Sequence, residues 1–91
     1  MFNKLKQFKD LRSQAKQIQN VLAEETITVE KRGITVVMNG NMEVKKITIS
    51  ESVSKESLES LMAECVNETI KKTQRVMAQK MQEMGGFPGL G

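Results

Sequence analysis

Apolar positions change their period twice along the chain, from helical to alternating and back to helical. Over residues 3–23, Phe8, Leu11, Ala15, Ile18 and Leu22 recur at spacings of three and four, with Gln, Lys and Ala between them. That spacing predicts a helix with a coiled-coil-like seam, uninterrupted by Gly or Pro and about 30 Å long. From Glu25 to Ile49 the composition turns to Val, Ile and Thr, and turn residues divide the stretch. Thr26–Lys31 alternates through Ile27 and Val29, Gly33 marks a tight turn, and Ile34–Met38 forms a second run. Asn39-Gly40-Asn41 supplies residues that tolerate positive φ, a hairpin signal, and Glu43–Ile49 is the third strand. Val44 falls on the opposite parity to Ile47 and Ile49, so a bulge or a doubly buried face is expected there.

Residues 55–84 return to helical spacing, with Ser54 as N-cap and Glu56 in the first turn. Leu58, Leu61, Met62, Cys65, Val66 and Ile70 begin a stripe that continues through Thr73, Met77, Met81 and Met84. It drifts slowly round the helix, as a seven-residue repeat does. At about 45 Å such a helix outruns any three-stranded sheet. The expected order is α-β-β-β-α, an α+β domain over residues 1–84 built on a three-stranded antiparallel meander. Residues 85–91, Gly-Gly-Phe-Pro-Gly-Leu-Gly, break helix and are expected to form a flexible tail. The apolar stripes exceed what one small sheet covers, and 91 residues bury only about two thirds of their unfolded surface. Both points predict a homodimer that shares its surplus through the sheets and the long second helices.

Charge changes the picture more by its distribution than by its total, a net +3. Residues 1–23 hold Lys4, Lys6, Lys9, Arg12 and Lys16 against Asp10 alone, an asymmetry that points to a polyanionic partner. At 100° per residue, Lys6, Lys9, Arg12 and Lys16 fall within an arc of about 120°, opposite the apolar seam and about 15 Å long. Ser13 and Asn20 flank this stripe as hydrogen-bond donors for phosphate oxygens. Lys71, Lys72, Arg75 and Lys80 make a second basic run, partly neutralised by Glu64, Glu68 and Glu83. Glu68 is expected to pair with Lys71 and Lys72 at helical spacing, and Lys31-Arg32 and Lys45-Lys46 to be solvated turn and edge charges.

Residues suited to catalysis are scarce. The chain has no His, Cys65 lies among apolar helix positions as a packing thiol, and no Cys, His and Asp cluster has metal-ligand spacing. Neither Gly40 nor Gly85-Gly86 opens a phosphate-binding loop into a helix. An enzyme is not expected, nor a cofactor or a small-molecule substrate. A single cysteine allows no internal disulfide, and no apolar run reaches the roughly 20 residues of a membrane span, so the expected location is the cytoplasm. Only three aromatics occur, which disfavours stacking platforms for single strands or RNA.

The stretch Gly33 to Ile49 has the form G-(I)-T-V-x-(M)-N-G-x-x-E-V-x-x-I-x-I. It follows a Gln/Lys-rich helix and precedes a long helix, acidic in its first half, and a Met/Gly-rich end containing Phe87-Pro88-Gly89. In these features the chain resembles the bacterial YbaB/EbfC family along essentially its whole length. The resemblance implies a tweezer-shaped homodimer with projecting helical ends, binding to double-stranded DNA, and a nucleoid role with effects on gene regulation. Carried onto this sequence, it implies DNA contacts from Lys6, Lys9, Arg12, Lys16, Lys71, Lys72 and Arg75. The competing reading is a dimeric adaptor or chaperone whose methionine stripe, Met62, Met77, Met81 and Met84, grips another protein. A basic amphipathic first helix lying on anionic membrane is a third, and it requires the seam to be unburied.

Overall fold

Five elements follow the changes of period: α1 (Asn3–Ala23), β1 (Thr26–Lys31), β2 (Ile34–Asn39), β3 (Val44–Ile49) and α2 (Lys55–Glu83). The computed structural model describes residues 3–85, with side chains from Lys9 onward. Phe8, Lys4 and Lys6 therefore lie outside the described side chains, and most of the Gly/Pro tail lies outside the described residues.

The strands form an antiparallel meander in the order β1-β2-β3. A two-residue turn joins β1 to β2, with Arg32 at φ 50° and Gly33 at φ 95°, the left-handed pair that a twisted hairpin requires. The second hairpin is built differently from its sequence signal. Its positive φ falls on Met42, at 62°, and not on Gly40. The Asn39 side chain closes that turn, its Oδ1 accepting from the amides of Asn41 (3.0 Å) and Glu43 (3.1 Å).

Gly40 instead serves close approach. Its amide donates to Leu22 O at 2.8 Å, and a Cβ on it would lie 2.5 Å from that oxygen. Asn41 Nδ2 donates to Gln19 O at 2.9 Å. The β2–β3 turn thus donates to two carbonyls near the C-terminal end of α1, one of which, Leu22 O, also accepts from the Glu25 amide at 3.1 Å.

Pairing between β2 and β3 shifts at Val37/Met38: Lys46 faces Val37, while Val44 faces Met38. Lys45 is the extra residue, so Val44 returns to the face of Ile47 and Ile49, as the parity conflict predicted.

α2 starts at Ser54, whose Oγ accepts from the Ser57 amide at 3.2 Å, with Glu56 in the first turn. It lies across β1 and β2, burying Leu61 and Cys65 against Ile34 and Val36. Val29, Val53, Leu58, Met62 and Val66 pack around that cluster. Ile27, Met38 and Leu22 extend the buried set toward α1. Cys65 is fully buried, its thiol directed at Val29 O and Ile34 O, as a packing residue should be. Thr69 and Thr73 are also fully buried on α2. Their hydroxyls donate back along the helix to Cys65 O (2.6 Å) and Thr69 O (2.7 Å), and Thr73 Oγ1 lies 3.2 Å from Met38 Sδ. Periodicity found Thr73 but passed over Thr69, four residues before it on the same face.

The seam of α1 is only partly covered. Leu22 is buried and Ala15 and Ile18 half-buried, but Leu11 is 44% exposed. The described chain is long and thin, 62 × 19 × 18 Å.

Candidate nucleic-acid interface

Lys9, Arg12 and Lys16 are all exposed on α1, on the side away from Ala15, Ile18 and Leu22. Among the described residues no carboxylate lies within 4 Å of any of them, including Asp10. Three unneutralised cations along one helix are a linear array that a polyanion can follow. The helix is anchored near its C-terminal end by Gly40 and Asn41, and by the Glu25–Lys80 ion pair at 2.9 Å. Donation to Glu25 holds the Lys80 ammonium above lysine's ordinary value, with Glu83 adding to the effect.

The second basic run is brought together elsewhere. Lys71, Lys72 and Arg75 line an open groove of about 650 Å³ between α2 and residues Thr28–Glu30 of β1, with Glu68 beside them. Among the described residues, none of α1 lines this groove. Lys72 Nζ donates to Thr28 O at 3.3 Å.

Of the carboxylates expected to neutralise this run, Glu83 pairs with Lys80 at 3.4 Å, whereas Glu64 and Glu68 pair with Lys31. Glu68 accepts from Lys31 Nζ at 2.6 Å and Glu64 stands 3.4 Å from the same ammonium. Lys31 is thus an ion-pair partner and not a solvated turn charge. The hydrogen bond to Glu68, then Glu64 beside it, holds it above lysine's ordinary value. Pairing across the fold replaces the helical pairs of Glu68 with Lys71 and Lys72 because Lys31, in the strand over which α2 lies, points at the same flank. The only sequence signal was that Lys31 shares its parity with Ile27 and Val29.

The opposite flank of α2 is apolar. At 100° per residue, Met62, Val66, Ile70, Met77 and Met81 fall on the side away from Lys71 and Arg75, and all are half-buried. β3 lies at the other edge of the sheet from β1, beyond the cover of α2. Its Val44, Ile47 and Ile49 share the face of Met38, Val36 and Ile34, yet are 47%, 42% and 44% exposed. The helix flank lies on the side of α2 away from β1, toward the β3 side of the sheet. Among the described residues no helix is long and apolar enough to cross a membrane.

The family model of the YbaB/EbfC DNA-binding family matches residues 1–87. A nucleoid-associated protein of Syntrophobacter fumaroxidans is 32% identical, the match covering 98% of this chain and 89% of that protein. A nucleoid-associated protein of Caldicellulosiruptor saccharolyticus is 40% identical over 59% of this chain, and this match spans about half, 51%, of the relative's length. The crystal structure of an uncharacterized Helicobacter pylori protein shares the fold, with a TM-score of 0.71 at 19% identity, over 94% of this chain and 98% of that one. A short α+β chain with an exposed basic helix, matched over residues 1–87 by a DNA-binding family model, falls in the class of small DNA-binding proteins. It belongs to the YbaB/EbfC DNA-binding family.

Proposed function

We propose that the chain is a bacterial nucleoid-associated protein that binds double-stranded DNA as a homodimer, with low sequence specificity, in the cytoplasm. The observation that carries this is the exposed, unneutralised row Lys9, Arg12 and Lys16 on a helix that projects from the sheet. Lys6, three residues before Lys9 in the sequence, is assigned to the same contact from the sequence alone. Lys71, Lys72 and Arg75 of α2 form a second, smaller contact. Affinity then comes from phosphate neutralisation and counterion release, a term blind to sequence. Binding of this kind alters DNA shape, and through it gene expression, by how the two basic arms of a dimer are spaced. Neither a cofactor nor a small-molecule substrate has a part in it.

The dimer rests on the apolar surface formed by Val44, Ile47 and Ile49 with the Met62–Met81 flank of α2. A second copy removes that surface from water at about 25 cal/mol per Å². An adaptor would use the same methionine flank. Its place on the β3 side of the sheet, with the uncovered strand face, favours a second copy, because a strand and a helix left open together are what a two-fold partner of the same shape covers.

Changing Lys9, Arg12 and Lys16 together to Glu tests the reading. Exposed substitutions usually cost within about 0.5 kcal/mol each, so the fold and the oligomer mass should persist. Affinity for an unrelated duplex should fall at least about tenfold, or roughly 1.4 kcal/mol. With about four to six phosphates met per dimer, log affinity of the wild type should fall against log salt with a slope of about −4 to −5. Full affinity in the folded triple variant would refute α1 as the DNA-contacting helix and move the adaptor reading ahead.

A further inference from the structure

The groove beneath Lys71, Lys72 and Arg75 also holds an unpaired strand edge. Because the β1–β2 turn has two residues, its closing pair, Lys31 and Ile34, is a hydrogen-bonded one. Alternation along the ladder then turns the main-chain groups of Val29 and Ile27 toward β2, and those of Thr26, Thr28 and Glu30 outward. The bond from Lys72 Nζ to Thr28 O shows the outward carbonyl directly. Charge in the groove is sorted by face. Glu68 is occupied by Lys31, and Glu30 pairs across the ladder with Thr35, on the sheet face opposite Val36 and α2. On the helix side, Lys71, Lys72 and Arg75 have no carboxylate within 4 Å among the described residues.

We infer that this groove takes an extended acidic peptide segment, added along β1 as a fourth strand, with alternate carboxylates on Lys71, Lys72 and Arg75. A strand edge offers donors and acceptors together, the N–H and C=O of Thr28 and of Glu30. A peptide answers both, whereas a phosphodiester backbone has only acceptors and leaves the carbonyls unpaired. Same-face residues of an added strand repeat at about 6.8 Å, close to the spacing of helix neighbours at i and i+3 or i+4. The peptide's alternate residues lie beside Glu30, so they are neutral or basic. That pattern of signs is open to a polypeptide and closed to a nucleic acid. On binding, the Lys72 ammonium leaves Thr28 O for a carboxylate and a peptide N–H replaces it. Occupancy withdraws the α2 cations from DNA and leaves those of α1 in place.

The test uses a blocked octapeptide of alternating Glu and Thr, titrated into the full-length, isotope-labelled chain. The Thr28 and Glu30 amide resonances should shift and gain protection from solvent exchange. The same peptide N-methylated at alternate amides, which keeps every charge but loses the ladder, should bind at least tenfold more weakly. Thr28→Pro deletes an outward N–H on an edge strand, where proline is tolerated. It should abolish peptide binding while the affinity for duplex DNA stays unchanged. Equal binding of the N-methylated peptide, or shifts confined to lysine and arginine side chains, would reduce the effect to charge attraction and overturn the inference. So would a duplex oligonucleotide that perturbs the Thr28 and Glu30 amides when the peptide does not. If Thr28→Pro does not fold, the N-methylated comparison on the unaltered chain decides alone. Failure of the α1 charge reversal to weaken DNA binding bears on the DNA reading only, since α1 takes no part in the groove.

Discussion

Gly40→Ala places a methyl group where the chain has no room for one. Its Cβ would lie 2.5 Å from Leu22 O and 3.0 Å from both Leu22 Cα and Cβ, none of which is the movable end of a side chain. The β2–β3 turn and the end of α1 must therefore separate. Separation breaks the Gly40 N–H bond to Leu22 O and strains or breaks that from Asn41 Nδ2 to Gln19 O. Each such bond contributes about 1 kcal/mol. Leu22, now buried against the sheet end, loses part of a burial that contributes about 1.5–3 kcal/mol when complete. Against these, alanine narrows the unfolded ensemble and returns about 0.4–1 kcal/mol. The net expectation is a loss of about 2 kcal/mol. For a chain of this size that corresponds to a melting point lower by roughly 8–16 °C. Urea titrations at matched protein concentration should show a lower midpoint, and hydrogen exchange should show the α1 amides opening before those of β2 and α2. Asn41→Ala, which removes the exposed bond alone, should cost about 1 kcal/mol or less. A Gly40→Ala chain within about 0.5 kcal/mol of the wild type, with α1 amides equally protected, would refute the view that this turn holds the basic helix.

Ile47→Asp puts a carboxylate in the centre of the uncovered strand face, and light scattering should then report the 10.2 kDa chain mass in place of twice that value, with circular dichroism retained. An unchanged dimer mass would place the interface elsewhere. The tie between α1 and α2 through Lys80 should weaken in alkali. Its folded value is raised above the usual 10.5, so its contribution is complete below that pH and is lost as pH rises through the folded value. Exchange of the α1 amides should accelerate there in the wild type beyond the intrinsic rate, and Lys80→Met should erase the extra dependence. Identical alkaline profiles for the two chains would remove the ion pair from the account.

Element order was legible because each element keeps one hydrophobic period from end to end, and α1, β1 and the body of α2 lie where their spacing put them. The parity of Val44 called for a bulge or a doubly buried face, and the bulge is what forms, with Lys45 as the extra residue. Local pattern failed where the cause was a long-range contact. Asn39-Gly40-Asn41 has the letters of a positive-φ turn, but the glycine is needed because Leu22 comes within a methyl's reach, a meeting of residues far apart in sequence. Glu68 had two lysines at helical spacing and took a third from β1. In the candidate site, the α1 stripe was legible because a helix alone sets its angles. The groove was not, since it depends on which flank of α2 lies over the free strand, and spacing within the helix leaves that undetermined.

The same exposed strand carries a hazard for newly made chains. Val44–Ile49 is an edge strand with apolar residues on one face, a segment of the kind that seeds stacked, fibril-like sheets. Lys45 and Lys46 sit in the middle of it, and Lys45 is the bulged residue. Identical strands stacked in register would set these ammonium groups a few ångströms apart in every layer, and the bulge twists the edge out of the flat shape such stacking needs. At the other edge Lys72 occupies the Thr28 carbonyl and hinders the same growth. Growth by like chains is thus hindered at either edge, while the β1 edge can still take an acidic strand and the apolar face of β3 stays exposed.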